Sequence, residues 1–242
     1  MVETKTVGSR VFKVVNYIIL TILAISCLYP LWYELCVSLS DKLAADSGAV
    51  TLWPIGINFA SYELIMGDGT FWNSFMISVG RVVLGTIWTM VVIIMMAYPL
   101  SKSSRDYKPR TILMWILVFC MLFNGGTIPW YITMGKYGLI DNFAALIFAG
   151  SVPVFNVLLL MNFFRNLPAD IEEAALVDGA GPWRILWQIV VPCSVPVIAT
   201  VVLFTSVNYW NEYFQGLVLM NTEDKYPLQT YIRQITVQIP AG

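Results

Sequence analysis

Long apolar runs alternate with short polar segments along the whole chain, and each run is too long for a buried strand. A helix of ~20 apolar residues crosses the ~30 Å hydrocarbon core of a bilayer. The pattern therefore predicts an all-α integral membrane protein, a single domain over residues 1–242. Its five spanning helices are predicted at residues 14–37, 71–100, 111–134, 142–164 and 185–211.

Lys and Arg fall unevenly on the two sides of these spans. Nine of the 14 basic residues lie before the first span, between the second and third, or between the fourth and fifth; four lie on the other side. Because basic loops stay in the cytoplasm, the amino terminus is predicted to be cytoplasmic. The first outer loop, residues 40–70, is predicted to hold a short helix near 60–66.

Composition narrows the function further. The chain is 58% hydrophobic, has 12% charged residues and a mean hydropathy of +0.71, so its expected surroundings are a lipid bilayer. It contains no histidine, which excludes His-ligated zinc and histidine-dependent catalytic triads. Its four cysteines fall in apolar runs and are interpreted as small buried residues. No phosphate-binding loop motif occurs, so no cofactor is expected on this chain and any ATP must bind another subunit.

The segment between the fourth and fifth predicted spans carries the most specific pattern. Asp170 followed by Glu173 is typical of a capping box, and Gly179 is placed to end a helix, with Pro182 beyond it. These signals predict a short cytoplasmic helix at about 171–178. Ala174 and Ala175 would let another protein approach its backbone closely, although an ordinary capped connector would have the same pattern.

The residues of this segment resemble the EAA loop of ATP-binding-cassette (ABC) importer permeases. The matching order is Glu173-Ala-Ala-x-x-Asp178-Gly179-Ala180, then Ile189, Pro192 and Pro196, with mild departures at Leu186 and Val191. Further segments resemble the carbohydrate-uptake branch, of the LplC/MalG-like kind: residues 123–131, 137–142 and 209–213. The chain is thus similar to the inner-membrane component of binding-protein-dependent transport systems over about residues 13–234.

The resemblance implies the fold of a type I ABC importer transmembrane domain and a role in translocating an oligosaccharide. It implies as partners a second homologous permease chain, two ATPase subunits that bind ATP and Mg²⁺, an extracytoplasmic binding protein and the lipid bilayer, but no nucleic acid. It also implies that the short helix couples the chain to the ATPase. The coupling residues would be Glu172, Glu173, Ala174, Ala175, Asp178, Gly179, Ala180 and Pro192.

Family members have a sixth core span, which is expected beyond Gly242. Two other functions stay open at this point: an ABC permease for another solute class, and an ion-driven secondary transporter. The secondary transporter is disfavoured because no internal repeat is evident and few acidic residues lie inside the spans. A membrane enzyme is disfavoured because histidine is missing and no pair of carboxylates faces inward.

Polar residues within the spans are the candidates for a substrate pathway: Arg81, Asn124, Asn208, Tyr209, Asn211 and Glu212. Arg81 is predicted to lie at the outer membrane boundary with its side chain extended to water, in preference to lining a pore. The cluster at 208–215, in which Asn208, Asn211, Glu212 and Gln215 recur at helical spacing on one face, suits sugar hydroxyls, and equally an interfacial aromatic belt. Gly125 and Gly126 are predicted to break the third span.

Overall fold

The computed structural model describes residues 7–150 and 152–238, and these residues contain helices and connecting segments but no strand. The fold class predicted from the apolar runs is thereby confirmed as all-helical. Contacts divide the chain into two units, residues 1–68 and 69–242, which are described separately below.

The first unit consists of one long helix and a compact loop segment. Helix α1 spans Val7–Ser38, and most of its apolar side chains are exposed. Trp32 Nε1 donates a hydrogen bond of 2.7 Å to the main-chain oxygen of Leu52 and fixes the loop to the helix. Two short helices follow in this unit, α2 at Lys42–Asp46 and α3 at Ala60–Gly67. Helix α3 lies where a short helix was predicted.

The second unit is built around a helix of 33 residues, α4, which spans Gly69–Ser101. Helices α1 and α4 are each long and apolar enough to cross a membrane; two bent helix pairs raise the number to four if each pair is one span. The remaining helices of this unit are α5 (Arg110–Leu122), α6 (Thr127–Lys136), α7 (Phe143–Phe148), α8 (Val154–Arg165), α9 (Ala169–Val177), α10 (Pro182–Ile185), α11 (Val191–Cys193), α12 (Val195–Asn211), α13 (Phe214–Leu219) and α14 (Leu228–Gln238).

Three of the predicted spans are not continuous helices. The third is broken between α5 and α6, which meet at 116°, at the predicted glycine pair. Gly126 has φ +88°, and the Asn124 side chain accepts a hydrogen bond from its N–H. Glycine reaches this φ without strain, which explains why the break falls there.

Prolines explain the other two breaks, which the sequence analysis did not predict. Within the fourth predicted span, α7 ends at Phe148 and the next helix, α8, begins after Pro153. The fifth is bent by 83° between Pro182–Cys193 and α12, with a π-helical segment at Leu186–Val190. Proline lacks an N–H and its ring clashes with the carbonyl four residues earlier. Pro153 and Pro196 therefore prevent helix from continuing through these segments.

The main core of the second unit lies where α4, α8 and α12 pack together. Ile93 and Ala97 of α4, Leu160 of α8 and Val201 of α12 are all fully buried. Gly85 lies where α4 and α12 approach closely: a Cβ there would lie 2.6 Å from the Tyr209 ring. Only glycine fits at this crossing of α4 and α12.

A smaller core surrounds α7 and α13, and an ion pair lies beside it. Leu146 and Leu219 are fully buried in this cluster. Lys225 Nζ lies 2.5 Å from Asp141 Oδ2, and the Asn221 N–H donates to the same carboxylate. These hydrogen bonds, chiefly that from Lys225, hold the pKa of Asp141 below its ordinary value.

The cysteines differ from the prediction. Cys36 is buried, but Cys27, Cys120 and Cys193 are exposed on the surface of this chain. An apolar run predicts removal from water, which lipid or a partner chain also provides. The error was to equate an apolar run with burial inside one chain.

Candidate functional site

Helix α9 lies in the segment that carries the EAA-like pattern, and its two ends form differently. The predicted capping box is wrong: the helix begins at Ala169, its N-cap is Pro168, and no side chain caps it. The C-terminal prediction is correct, since Gly179 has φ +75°. The Gly179 N–H donates to the Leu176 oxygen and the Ala180 N–H to the Ala175 oxygen. This pair of bonds is a Schellman motif, which satisfies the last helix carbonyls.

Helix α9 is fixed to the loop that follows α4. Lys102 forms an ion pair with Glu172, and its ammonium group also lies 4.4 Å from the centre of the Tyr98 ring. One turn along α9, Ala175 is only 8% exposed because it packs into the main core. A groove of about 790 Å³ remains between α9, Trp183 and the loop at Asp106. The predicted short helix and the basic loop therefore lie at the same end of this unit.

One surface of α9 is left for another molecule. Val177 is 88% exposed, Leu176 58% and Ile171 42%, while Glu173 and Ala174 are exposed beside them. These exposed side chains are the part of α9 that another protein can contact.

The structure separates the predicted coupling residues into two groups. Ala175 and Ala180 are buried within this chain, so the expectation that both alanines of the pair offer a contact surface is wrong for Ala175. Because 3.6 residues complete a turn, neighbouring alanines point about 100° apart and only Ala174 faces outward. Asp178 and Gly179 are exposed at the end of the helix, and Pro192 is exposed on α11.

A second cluster surrounds Arg81, which is only 1% exposed. The prediction of an extended, water-facing side chain is therefore wrong. Arg81 Nη2 donates to Glu212 Oε2 at 2.8 Å and to Gln215 Oε1 at 2.6 Å. Nη1 donates to the Glu212 main-chain oxygen at 2.7 Å, and Nε to that of Leu146 at 3.1 Å. A charged group is buried here because it is paired and hydrogen-bonded.

Glu212 owes its position to the end of α12. The helix stops at Asn211, so the predicted helical face through residue 215 is interrupted. Glu212 Oε1 then accepts hydrogen bonds from the N–H groups of Phe214 and Gln215, which start α13. One carboxylate thus holds the start of α13 and neutralises Arg81.

The pair lines a cavity of about 360 Å³. Of the six predicted pathway residues, four line it: Arg81, Asn208, Tyr209 and Glu212. The other two do not: Asn211 is exposed on α12, and Asn124 belongs to the break between α5 and α6.

Sequence reasoning missed three polar residues of this cavity. They are Thr89, Asn156 and Thr205, and Asn156 Nδ2 donates to Thr205 Oγ1 at 3.3 Å. An amide within an otherwise apolar span was the available signal for Asn156. The Tyr209 hydroxyl bonds to Thr89 Oγ1 and donates to the Ile147 oxygen, each at 3.0 Å.

Comparisons with known proteins agree with this architecture. The profile of the binding-protein-dependent transport system inner membrane component family matches residues 69–239. The polygalacturonan/rhamnogalacturonan transport system permease protein YtcP of Bacillus subtilis is 35% identical over 95% of this chain and 79% of its own. Protein LplC of the same organism is 34% identical over 96% of this chain and 78% of its own.

A solved structure is similar along the whole chain. It is a bacterial ABC transporter involved in the import of the acidic polysaccharide alginate, 34% identical, with a TM-score of 0.90. The match covers 100% of this chain and 85% of that one. The predicted fold of an ABC importer transmembrane domain is thereby confirmed.

Proposed function

The chain belongs to the family of binding-protein-dependent transport system inner membrane components, and from that premise we propose that it translocates an oligosaccharide, driven by a separate ATPase. The transport role is that of a permease subunit rather than a catalytic enzyme. The carbohydrate class is supported by relatives that include permeases for polygalacturonan and diacetylchitobiose. The proposed location is the bacterial cell membrane with a cytoplasmic amino terminus.

The exposed surface of α9 is the observation that carries the proposed coupling. Val177, Leu176 and Ile171 leave apolar area uncovered, and Glu173 adds a negative charge beside it. We propose that this surface inserts into a cleft of the ATPase. Movement of the ATPase would then pass to the spanning helices through the Lys102–Glu172 pair and the buried Ala175.

The proposed assembly contains a second homologous permease chain, two ATPase subunits with ATP and Mg²⁺, and an extracytoplasmic binding protein. The proposed solute path passes the cavity beside Arg81 and Asn208. An ABC permease for another solute class is the alternative, and the ligand that copurifies with the binding protein would decide between them.

A matched pair of glycine variants tests the coupling. Gly179→Pro removes both the positive φ and the N–H that binds the Leu176 oxygen, so the end of α9 cannot form. Gly181→Ala is the control, because Gly181 has φ −74° and nothing lies within 4 Å of its added Cβ. ATP hydrolysis stimulated by the loaded binding protein is measured with the complete transporter in proteoliposomes.

We expect Gly179→Pro to abolish stimulated hydrolysis and solute uptake while the chain still inserts into the membrane. Glu173→Lys should act in the same direction, since it reverses a charge on the exposed surface without touching the core. Normal coupling in Gly179→Pro, or uptake that continues without ATP, would contradict the proposal. The second result would favour an ion-driven transporter.

A further inference from the structure

The cavity beside Arg81 has the size and lining of a small-ligand site. Its volume of about 360 Å³ falls within the ~300–1,000 Å³ range of ligand pockets. Phe155 and Phe204 contribute aromatic rings that are 61% and 48% exposed. Polar groups converge from α4, α8 and α12, at Thr89, Asn156 and Asn208. A solute would therefore meet both aromatic faces and hydrogen-bonding groups.

The charges that line this cavity cancel. Arg81 and Glu212 are its two charged lining residues, and they form an ion pair. Four of the five guanidinium N–H groups of Arg81 already have protein acceptors. Glu212 is 24% exposed and presents the more accessible charge of the two. An entering solute therefore meets a site without net charge, in which the carboxylate is more accessible than the guanidinium.

Hydrogen-bonding capacity is nevertheless free in this cavity. The Asn208 side chain is exposed and makes no hydrogen bond to another residue that the structure describes. Asn156 uses its amide N–H₂ for Thr205, which leaves its oxygen as an acceptor. Sugar hydroxyls both donate and accept, so they complement two amides, whereas a carboxylate only accepts.

We infer that this cavity binds an uncharged sugar residue and discriminates against a carboxylated one. A uronate would give up its hydration without gaining a free cation, and it would lie beside the Glu212 carboxylate. The inference rests on the proposed function and deepens it by naming the substrate class. It differs from the acidic polysaccharide that the alginate transporter handles.

A matched pair of disaccharides tests the discrimination. The probes are α-1,4-galactobiose and α-1,4-digalacturonate, which differ in a hydroxymethyl group against a carboxylate on each ring. Their binding is measured by saturation-transfer NMR and calorimetry to the complete transporter in nanodiscs, without the binding protein. Galactobiose is expected to bind at least about tenfold more tightly, a difference of ~1.4 kcal/mol.

Two lysine substitutions on α12 test whether the discrimination arises in this cavity. Asn208→Lys adds a cation at the cavity lining and should shift the ratio of the two affinities toward digalacturonate by about tenfold. Asn211→Lys adds the same charge three residues later on the same helix, outside the cavity lining, and should leave the ratio unchanged. Both sites are exposed, so neither change places a charge in the core.

Each result decides the inference. Tighter binding of digalacturonate to the wild type, equal binding of both probes, or no binding of either overturns it. So does an equal shift by both lysine variants, because the discrimination would then arise outside the cavity. If the disaccharide test fails but Gly179→Pro still abolishes stimulated ATP hydrolysis, the proposed transport function stands. Normal coupling in that variant contradicts the function independently.

Discussion

Removal of the Glu212 charge is expected to destabilise the fold more than removal of the Arg81 charge with which it pairs. Glu212→Gln keeps an oxygen for the N–H groups of Phe214 and Gln215 but leaves the guanidinium, at 1% exposure, without a counter-charge. Removing one partner of a buried pair lowers the free energy of unfolding by about 3–5 kcal/mol. Because Glu212→Gln retains the hydrogen bonds, its loss is expected at the lower end, about 3 kcal/mol. Arg81→Leu leaves a carboxylate that is 24% exposed, so about 1–3 kcal/mol is expected.

The double variant separates charge from shape. Arg81→Leu with Glu212→Gln contains no unpaired charge, and replacing a buried pair by neutral groups is often near neutral in stability. The double variant should therefore be more stable than Glu212→Gln alone.

Thermal unfolding of the complete transporter in nanodiscs, followed by tryptophan fluorescence, measures these differences. A loss of about 3 kcal/mol corresponds to a fall of ~6–12 °C in Tm for a chain of this size. Arg233→Leu is the control, because Arg233 is exposed and lies over the Tyr213 ring at 4.5 Å, a contact worth about 0.5–1 kcal/mol. A Glu212→Gln variant that melts with the wild type, or a double variant that melts below both single variants, would refute the reasoning.

Three further changes have defined outcomes. Gly85→Ala should lower Tm and displace the Tyr209 ring, with an overpacking cost of about 1–3 kcal/mol, measured by thermal unfolding against the wild type. Gly179→Ala meets no neighbouring atom but must adopt a positive φ, so coupled ATP hydrolysis should fall only partly and α9 should lose about 1–2 kcal/mol. Asp141→Asn should lower Tm at neutral pH, since Asn tolerates the φ of 59° but cannot pair with Lys225. The folded pKa of Asp141 is depressed, so this Tm difference is present above the ordinary pKa of about 3.9 and disappears as the pH falls through the folded value.

Hydropathy predicted where apolar helix occurs but not where it breaks. Residues on both sides of Pro153 and of Ser194 are apolar, so the runs look continuous although the helices end there. The break at Gly126 was predictable because a glycine pair is itself a local signal. Whether each bent pair forms one span, and hence the predicted count of five, stays a prediction, as does the single domain.

Local sequence patterns could not predict ion pairs between residues that are far apart in the sequence. Arg81 and Glu212 are 131 residues apart, and each alone looked like a boundary or pathway residue. The Lys102–Glu172 pair joins a basic loop and an acidic helix 70 residues apart, and only the shared side of the membrane was predicted. The capping box failed for a different reason: the N-cap is Pro168, two residues before Asp170, so Asp170 lies inside α9.

Helix α4 connects the two sites physically. Arg81 lies within it, and Lys102 follows its last residue, so one helix reaches both the cavity and α9. At ~1.5 Å per residue, the stretch from Arg81 to Ser101 is about 30 Å long. The fully buried Ile93 and Ala97 lock this stretch against α8 and α12, so it can shift only together with its neighbours. Packed helices move as rigid bodies, so a displacement of α9 would reach Glu212 through the 33-residue helix α4. Under the proposed coupling, a movement that begins at the ATPase would therefore alter the walls of the cavity that the Arg81–Glu212 pair lines.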